Sequence, residues 1–154
     1  MNDLFERLDH TSIAVRSVEE IVPLMTMVGA QFLEGADNER NGFRWLQYRV
    51  AGGKLEFIAP TRPDSFLTKF LEQRGSGLHH LTFKVNDLDQ AISPAEDAGY
   101  EVVDRGSGRN WDEAFLHPKS SHGVLIQLAA WDDSVPSGSS NLDEVLAGRV
   151  FDGA

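Results

Sequence analysis

This chain contains an internal repeat with an offset of 70 residues, which strongly limits the folds open to it. Residues 8–34 (LDHTSIAVRSVEEIVPLMTMVGAQFLE) align with residues 78–104 (LHHLTFKVNDLDQAISPAEDAGYEVVD), and this alignment places His10 opposite His80. Self-similarity at a fixed offset indicates that one supersecondary unit is built more than once. We therefore expect two copies of the same module.

Each copy begins with the pattern of a strand, a helix and a second strand. Residues 8–15 and 78–85 largely alternate apolar and polar side chains, which is the period of a strand with one packed face. A helix follows in each copy, and a short strand comes after it. The helix boundaries are marked by capping boxes and glycines, at Ser17–Glu20 and Gly29 in the first copy and at Asp87–Gln90 and Gly99 in the second.

The second part of each copy is rich in strand-forming residues. Residues 43–50 and 54–60, separated by a turn at Gly52-Gly53, predict a hairpin in the first copy. Residues 113–118 and 123–130 predict a hairpin in the second copy, where the offset grows to 71 residues.

These elements predict an α+β fold made of two βαβββ modules. A domain of about 60 residues is marginally stable by itself, so we expect the modules to pair their sheets. The expected product is one curved, barrel-like mixed sheet of about eight strands, with helices outside and a central cleft. A single domain then covers residues 1–131, with its parts at 6–60 (module one), 61–77 (linker with a short helix from 65 to about 74) and 78–131 (module two).

Residues 132–154 follow the repeat. The segment 132–141 is rich in Ser, Gly and Asp and is typical of a linker. LDEVLAGRVF after it has an amphipathic pattern of one or two helical turns. We expect a flexible end or a lid-like accessory element.

Composition excludes several classes of protein. The 154 residues carry a net charge of −10 without a cluster of basic residues, which argues against nucleic-acid binding. The chain has no cysteine, so disulfides and thiolate ligands are excluded. No apolar run approaches the roughly 18 residues of a membrane helix, and no secretory signal is visible. A cytoplasmic protein without membrane contact is the expectation.

Four polar side chains occupy related places in the two copies. His10 matches His80, and Glu56 matches Gln127. The alternation of their strands turns all four away from the helix-packed face. Two imidazoles, one carboxylate and one amide oxygen can hold a divalent ion and leave positions open for water or substrate. The recurrence of histidine at one phase of both copies predicts a shared metal site.

Other polar residues near these strands have ordinary interpretations. His79 falls on the opposite face from His80 and is expected to bond a neighbour. His117 and His122 flank the last hairpin and are typical turn residues. Lys119, a cation in the same turn of an acidic protein, is a candidate for holding the carboxylate or phosphate of a substrate.

The motifs that contain these residues resemble those of the vicinal-oxygen-chelate superfamily, the glyoxalase-like metalloenzymes. Within it, the likeness is greatest to the methylmalonyl-CoA epimerases. It is carried by LDHTSIAV, KLEFIAP, GLHHLTFKV and AFLHPKSSHGVLIQL and covers residues 8–130.

The resemblance implies a metalloenzyme, often a homodimer, that binds cobalt, manganese, nickel, zinc or iron. It implies that His10, Glu56 and His80 are metal ligands, with Gln127 at the fourth position. It also implies a small-molecule substrate such as an acyl-CoA, a cation that stabilises the thioester enolate, and catalytic roles for Glu56 and Gln127.

The sequence departs from the family at the closing motif. Where the epimerases have a glutamate that binds the metal and transfers a proton, this chain has Gln127. An amide can bind a metal through its oxygen but cannot accept a proton. Strand 43–50 contains no glutamate as an opposite base, and the phase of Asp112 and Glu113 is open.

Three functions therefore remain open. The first is an epimerase-like reaction on an acyl-CoA or another 2-substituted carbonyl compound. The second is a different superfamily reaction, either a glyoxalase-type isomerase or lyase or an iron-dependent dioxygenase, in a biosynthetic or secondary pathway. The third is a non-catalytic protein that binds a small ligand.

Overall fold

The structure is a computed structural model that describes residues 3–154. Within this range the chain forms eight strands and four α-helices, and a short 3-10 helix at Val18–Ile21 precedes the first of them. The elements follow the chain as β1 (Phe5–Ala14), α1 (Val22–Met27), β2 (Gln31–Asn38), β3 (Phe43–Val50), β4 (Gly53–Pro60), α2 (Phe66–Arg74), β5 (Gly77–Val85), α3 (Leu88–Asp97), β6 (Val102–Ser107), β7 (Asp112–Leu116), β8 (Ile126–Ala130) and α4 (Leu142–Leu146).

The strands form one mixed sheet in the order β2-β3-β4-β1-β5-β8-β7-β6. β2 and β6 are its edges, so the sheet is not closed. The predicted α+β class and the mixed sheet of eight strands are confirmed. Among the described residues, no helix combines the length and apolar character needed to cross a membrane.

The pairing within the sheet repeats from one module to the other. β1 pairs in parallel with β4, which places Ser12 opposite Glu56. β5 pairs in parallel with β8, which places Thr82 opposite Gln127. Each closing strand is also one arm of an antiparallel hairpin, β3–β4 and β7–β8. The two-copy interpretation of the sequence therefore extends to the residue register.

The chain divides into two compact units, and the boundaries pass through β1 and β5. The first unit contains the chain up to His10 together with His80–Val135. Its core lies between α3 and the strands beside it. The buried members of that core are Val85, Leu88, Ala91, Ile92, Ala114, Leu116 and Leu128.

The second unit contains Thr11–His79 and Pro136–Ala154 and has a core on each face of its strands. On one face Leu46 and Phe57 pack with the 3-10 helix and α1. On the other face Ile58 packs against Leu67 and Leu71 of α2. The sequence led us to expect helices on the outside alone, whereas α2 shares a face with Glu56, two residues before Ile58.

The predicted helix starts have different outcomes. At α3 the cap by Asp87 is confirmed, because its side chain accepts the backbone N–H of Gln90 at 2.9 Å. The side chain of Gln90 donates to the carboxylate of Asp87 at 3.2 Å, which differs from the backbone contact of a capping box. At the 3-10 helix the predicted box is wrong, because the Ser17 hydroxyl bonds the carboxylate of Glu19 and makes no cap. The helix of module one accordingly starts with a 3-10 turn.

The C-terminal segment is packed against β2. The backbone of Gly35 exchanges hydrogen bonds of 3.0 and 3.1 Å with Ser139, and the backbone N–H of Asp37 donates to Val150 at 2.8 Å. Val145 of α4 is 1% exposed within the core of the second unit. The segment thus covers a strand edge that would otherwise present unpaired backbone groups.

Glycines allow this close approach. A Cβ on Gly138 would clash with the carbonyl oxygen of Gly35, and a Cβ on Gly35 would lie 3.0 Å from Cγ1 of Val145. Polar contacts add to the backbone bonds. The Asp152 carboxylate accepts from the indole of Trp45 at 3.1 Å and from the amide of Asn38 at 3.2 Å.

We predict that Val145→Ala lowers the free energy of unfolding by about 2 kcal/mol, because it leaves a cavity in a packed core. The matched control is Val135→Ala, whose side chain is 38% exposed, with an expected loss below about 0.5 kcal/mol. Urea unfolding followed by circular dichroism measures both. Equal effects of the two substitutions would show that α4 contributes no more than a loose surface segment.

Candidate metal centre

His10 and His80 lie on β1 and β5 with their rings 6.1 Å apart, and both are buried. The Nδ1 atom of His10 lies 2.7 Å from the carboxylate of Asp9. With the Nδ1 proton donated to that carboxylate, the lone pair of Nε2 is available to a metal ion, and such carboxylate–histidine pairs are usual around metal sites. The ring of His80 is packed edge-on against Phe115 at 5.9 Å.

Glu56 is held by its neighbours on both sides in the sheet. Ser12, its partner on β1, donates to Oε1 at 2.9 Å. Gln47, its partner on β3, donates to Oε2 at 3.0 Å. The side chain is 9% exposed, and a buried carboxylate needs such donors to remain charged. The row Ser12–Glu56–Gln47 therefore presents an oriented carboxylate on one face of the strands.

One ligand atom from each of His10, Glu56 and His80 lies within 4.8 Å of the others. Metal–ligand bonds of about 2.0–2.2 Å put two ligands on opposite sides of one ion about 4.4 Å apart. Two imidazoles and a carboxylate suit zinc, manganese, cobalt or ferrous ion. The donor set and its spacing thus fit the divalent cation that the repeat predicts.

Gln127 occupies the place in module two that Glu56 has in module one. It is buried on β8, and its Oε1 accepts a 2.6 Å bond from the hydroxyl of Thr82, its partner on β5. The same hydroxyl oxygen lies 3.0 Å from Nε2 of His10. The amide oxygen is therefore bonded to the group that also contacts the first histidine.

Glu113 is a site residue that sequence reasoning left undecided. It lies on β7, and its Oε2 accepts bonds from Nε2 of Gln127 at 2.6 Å and from the indole of Trp111 at 2.7 Å. β7 pairs Phe115 with Gln127, so strand alternation gives Glu113 the same face as Gln127. From the sequence, Glu113 can be placed on the same face as Gln127 only if the residue pairing between β7 and β8 is already known.

Lys84 lies on β5 two residues after Thr82, so its side chain is on the same face of the strand. Its Nζ lies 2.7 Å from the carboxylate of Asp133, which also accepts from Arg7 at 3.0 Å. These hydrogen bonds, first that from Arg7 and then that from Lys84, lower the pKa of Asp133 to about 2. Both cations are thus partnered by a carboxylate.

His79, His117 and Lys119 have surroundings different from those of His10 and His80. His79 packs against the rings of Phe66 and Phe70 at 5.8 and 4.8 Å, and burial lowers its pKa to about 4. The Nδ1 of His117 accepts the backbone N–H of Lys119 at 3.1 Å within the turn between β7 and β8. The side chain of Lys119 is exposed in that turn, and its role toward a substrate stays a prediction.

Comparison with known proteins agrees with this description. The chain is 33% identical over 126 residues to the uncharacterized protein YqjC of Bacillus subtilis (strain 168), covering 79% of this chain and 90% of that protein. It is 28% identical over 128 residues to the ethylmalonyl-CoA/methylmalonyl-CoA epimerase of Cereibacter sphaeroides, covering 79% of this chain and 96% of that protein.

The fold is also similar to that of a solved epimerase structure. The crystal structure of methylmalonyl-CoA epimerase from Mycobacterium tuberculosis superposes with a TM-score of 0.75 at 29% identity, covering 87% of this chain and 93% of that one. A family model matches residues 9–115. The chain belongs to the glyoxalase/bleomycin resistance protein/dioxygenase superfamily.

Proposed function

We propose that this protein is a divalent-metal-dependent enzyme that performs enolate chemistry on a small acyl-CoA or a related 2-substituted carbonyl compound. The observation that carries the proposal is the trio His10, Glu56 and His80, whose ligand atoms lie within 4.8 Å of one another. Two relatives that are named epimerases of acyl-CoA thioesters support the substrate class.

The roles of the residues follow from their contacts. His10 and His80 supply neutral nitrogen ligands, Glu56 supplies an anionic one, and Gln127 supplies an amide oxygen. A divalent cation bound there would stabilise negative charge on a thioester oxygen and thereby make the adjacent C–H more acidic. Asp9 holds the ring of His10, while Ser12 and Gln47 hold the carboxylate of Glu56.

Because the closing strand of module two carries Gln127 and not a glutamate, proton transfer must be assigned to another residue. Gln127 cannot accept a proton, whereas Glu56 has a carboxylate in the corresponding position of module one. Glu56 is therefore the group that we assign to proton transfer, and Ser12 and Gln47 are the donors that hold it ready. A reaction that moves a proton on one face of the substrate needs only this carboxylate.

The direct test is exchange of the C2 proton of methylmalonyl-CoA in deuterium oxide, followed by mass spectrometry. We expect deuterium incorporation by protein loaded with Mn²⁺ or Co²⁺, and at least about a hundredfold loss in His80→Ala. Asp112→Asn, which changes an exposed side chain on β7, is the matched control and should keep the rate. Absence of exchange by protein shown to contain stoichiometric metal would exclude this function for that substrate.

Metal binding itself gives a second prediction. Asp9→Asn removes the charge that accepts the Nδ1 proton of His10, and we expect about tenfold weaker binding of Mn²⁺. Isothermal titration calorimetry measures the Kd, with Asp112→Asn as the control for loss of one carboxylate. An unchanged Kd in Asp9→Asn would show that Asp9 does not support the ligand.

A second candidate function is favoured by the ligand types. Two histidines and one carboxylate are the set used by iron(II) oxygenases, and the present trio has this composition. Oxygen consumption with ferrous ion and candidate substrates separates it from enolate chemistry, which consumes none. Protein that binds no divalent metal in either assay would instead support a non-catalytic binding role.

A further inference from the structure

The amide of Gln127 is bonded at both ends inside the first unit. Its oxygen accepts from the hydroxyl of Thr82 at 2.6 Å, and its nitrogen donates to the carboxylate of Glu113 at 2.6 Å. The residue is 5% exposed. With this little access to water, the two neighbours determine which way the amide faces.

The chemistry of Glu113 decides the direction. A carboxylate only accepts hydrogen bonds, so it selects the NH₂ end of the amide and turns the oxygen to the opposite side. That side is occupied by Thr82, whose hydroxyl oxygen lies 3.0 Å from Nε2 of His10. Trp111 donates to the same Oε2 of Glu113 at 2.7 Å and so holds the carboxylate in place.

The two modules show how neighbours select the residue type. Glu56 has a donor on each side, Ser12 and Gln47, and a carboxylate satisfies both. Gln127 has a donor on one side, Thr82, and an acceptor on the other, Glu113. Only a group with one acceptor and one donor end fits the second position, and a primary amide is such a group.

We propose that Glu113 is a positioning residue that turns the amide oxygen of Gln127 toward the metal site and excludes a carboxylate from position 127. A glutamate there would place two carboxylates at the 2.6 Å distance now spanned by a hydrogen bond, and like charges at such a distance are strongly unfavourable. The part concerning the metal rests on the proposed function. The part concerning residue 127 does not.

The test is a double-mutant cycle on metal-free protein with Gln127→Glu, Glu113→Gln and the double variant. At pH 7.5 we expect Gln127→Glu to lower the melting temperature by roughly 5 °C. The double variant exchanges the amide and the carboxylate and restores the bond, so its melting temperature should return to within about 2 °C of the wild type. Additive effects of the two substitutions, or a Gln127→Glu protein as stable as the wild type, would overturn the inference.

The affinity for Mn²⁺ tests whether Glu113 orients the amide of Gln127. We expect Glu113→Ala to weaken Mn²⁺ binding by about tenfold, because the amide loses the acceptor that orients it. Glu113→Gln, which keeps an acceptor oxygen, should stay within about threefold, and Asp112→Asn should not change the Kd. A Glu113→Ala protein with wild-type affinity would overturn the orienting role.

The side-chain amide resonances of Gln127 give a readout in the absence of metal. In ¹⁵N-labelled protein, Glu113→Ala should shift them while Asp112→Asn leaves them in place, and unchanged resonances in Glu113→Ala would contradict the contact. Wild-type protein that binds no Mn²⁺ but shows the expected thermal cycle would refute the proposed function. The control of residue 127 by Glu113 would then stand.

Discussion

Buried polar side chains on a sheet face need partners within the sheet, and this requirement governs the site. Glu56 and Gln127 lie at equivalent positions of two parallel pairings, opposite Ser12 and Thr82. In both cases the hydroxyl donates to the neighbouring side-chain oxygen, at 2.9 and 2.6 Å. Without these bonds the desolvation of the polar groups would be uncompensated. The register of the parallel pairs is therefore what makes a polar site possible inside an otherwise apolar fold.

Much of the fold was predictable because the repeat doubles every local signal. The two histidines recur in the same phase, and the strands and the linker helix lie close to their predicted ranges. Strand β2 was predicted, but the packing of the C-terminal segment against it was not. That segment is held by backbone hydrogen bonds through Ser139 and Val150, which no pattern of side chains in the sequence indicates. The burial of Val145 likewise depends on where the chain turns after residue 135.

The sequence was sufficient to nominate the candidate ligands, but it did not identify the residues that hydrogen-bond to them. His10, Glu56 and His80 follow from strand parity and the repeat. Gln47 required the antiparallel register of β3 with β4, which a hairpin turn sets to within a residue. Glu113 required the register of β7 with β8, where nine residues connect the strands and local turn chemistry does not determine the pairing.

The two modules share a fold and a pairing register but differ in the charge of the polar side chain on their closing strands. The anionic side chain of the closing strands is Glu56 in module one, while module two has the amide of Gln127, which donates to the carboxylate of Glu113. One neighbour in each module matches the charge of the polar side chain beside it. Gln47 donates to the carboxylate of Glu56, and Glu113 accepts from the amide of Gln127. Fold and donor set are consistent with a metal-dependent member of the superfamily, and in the proposed function the carboxylate of Glu56 would be the group that takes the proton.

A crystal structure of Mn²⁺-loaded protein, with anomalous diffraction measured for manganese, would show directly whether these four residues form one metal site. We expect one anomalous peak with His10, Glu56, His80 and the amide oxygen of Gln127 as its protein ligands. An ion bound elsewhere, or an ion in contact with the two histidines but not with Glu56, would refute the proposed site.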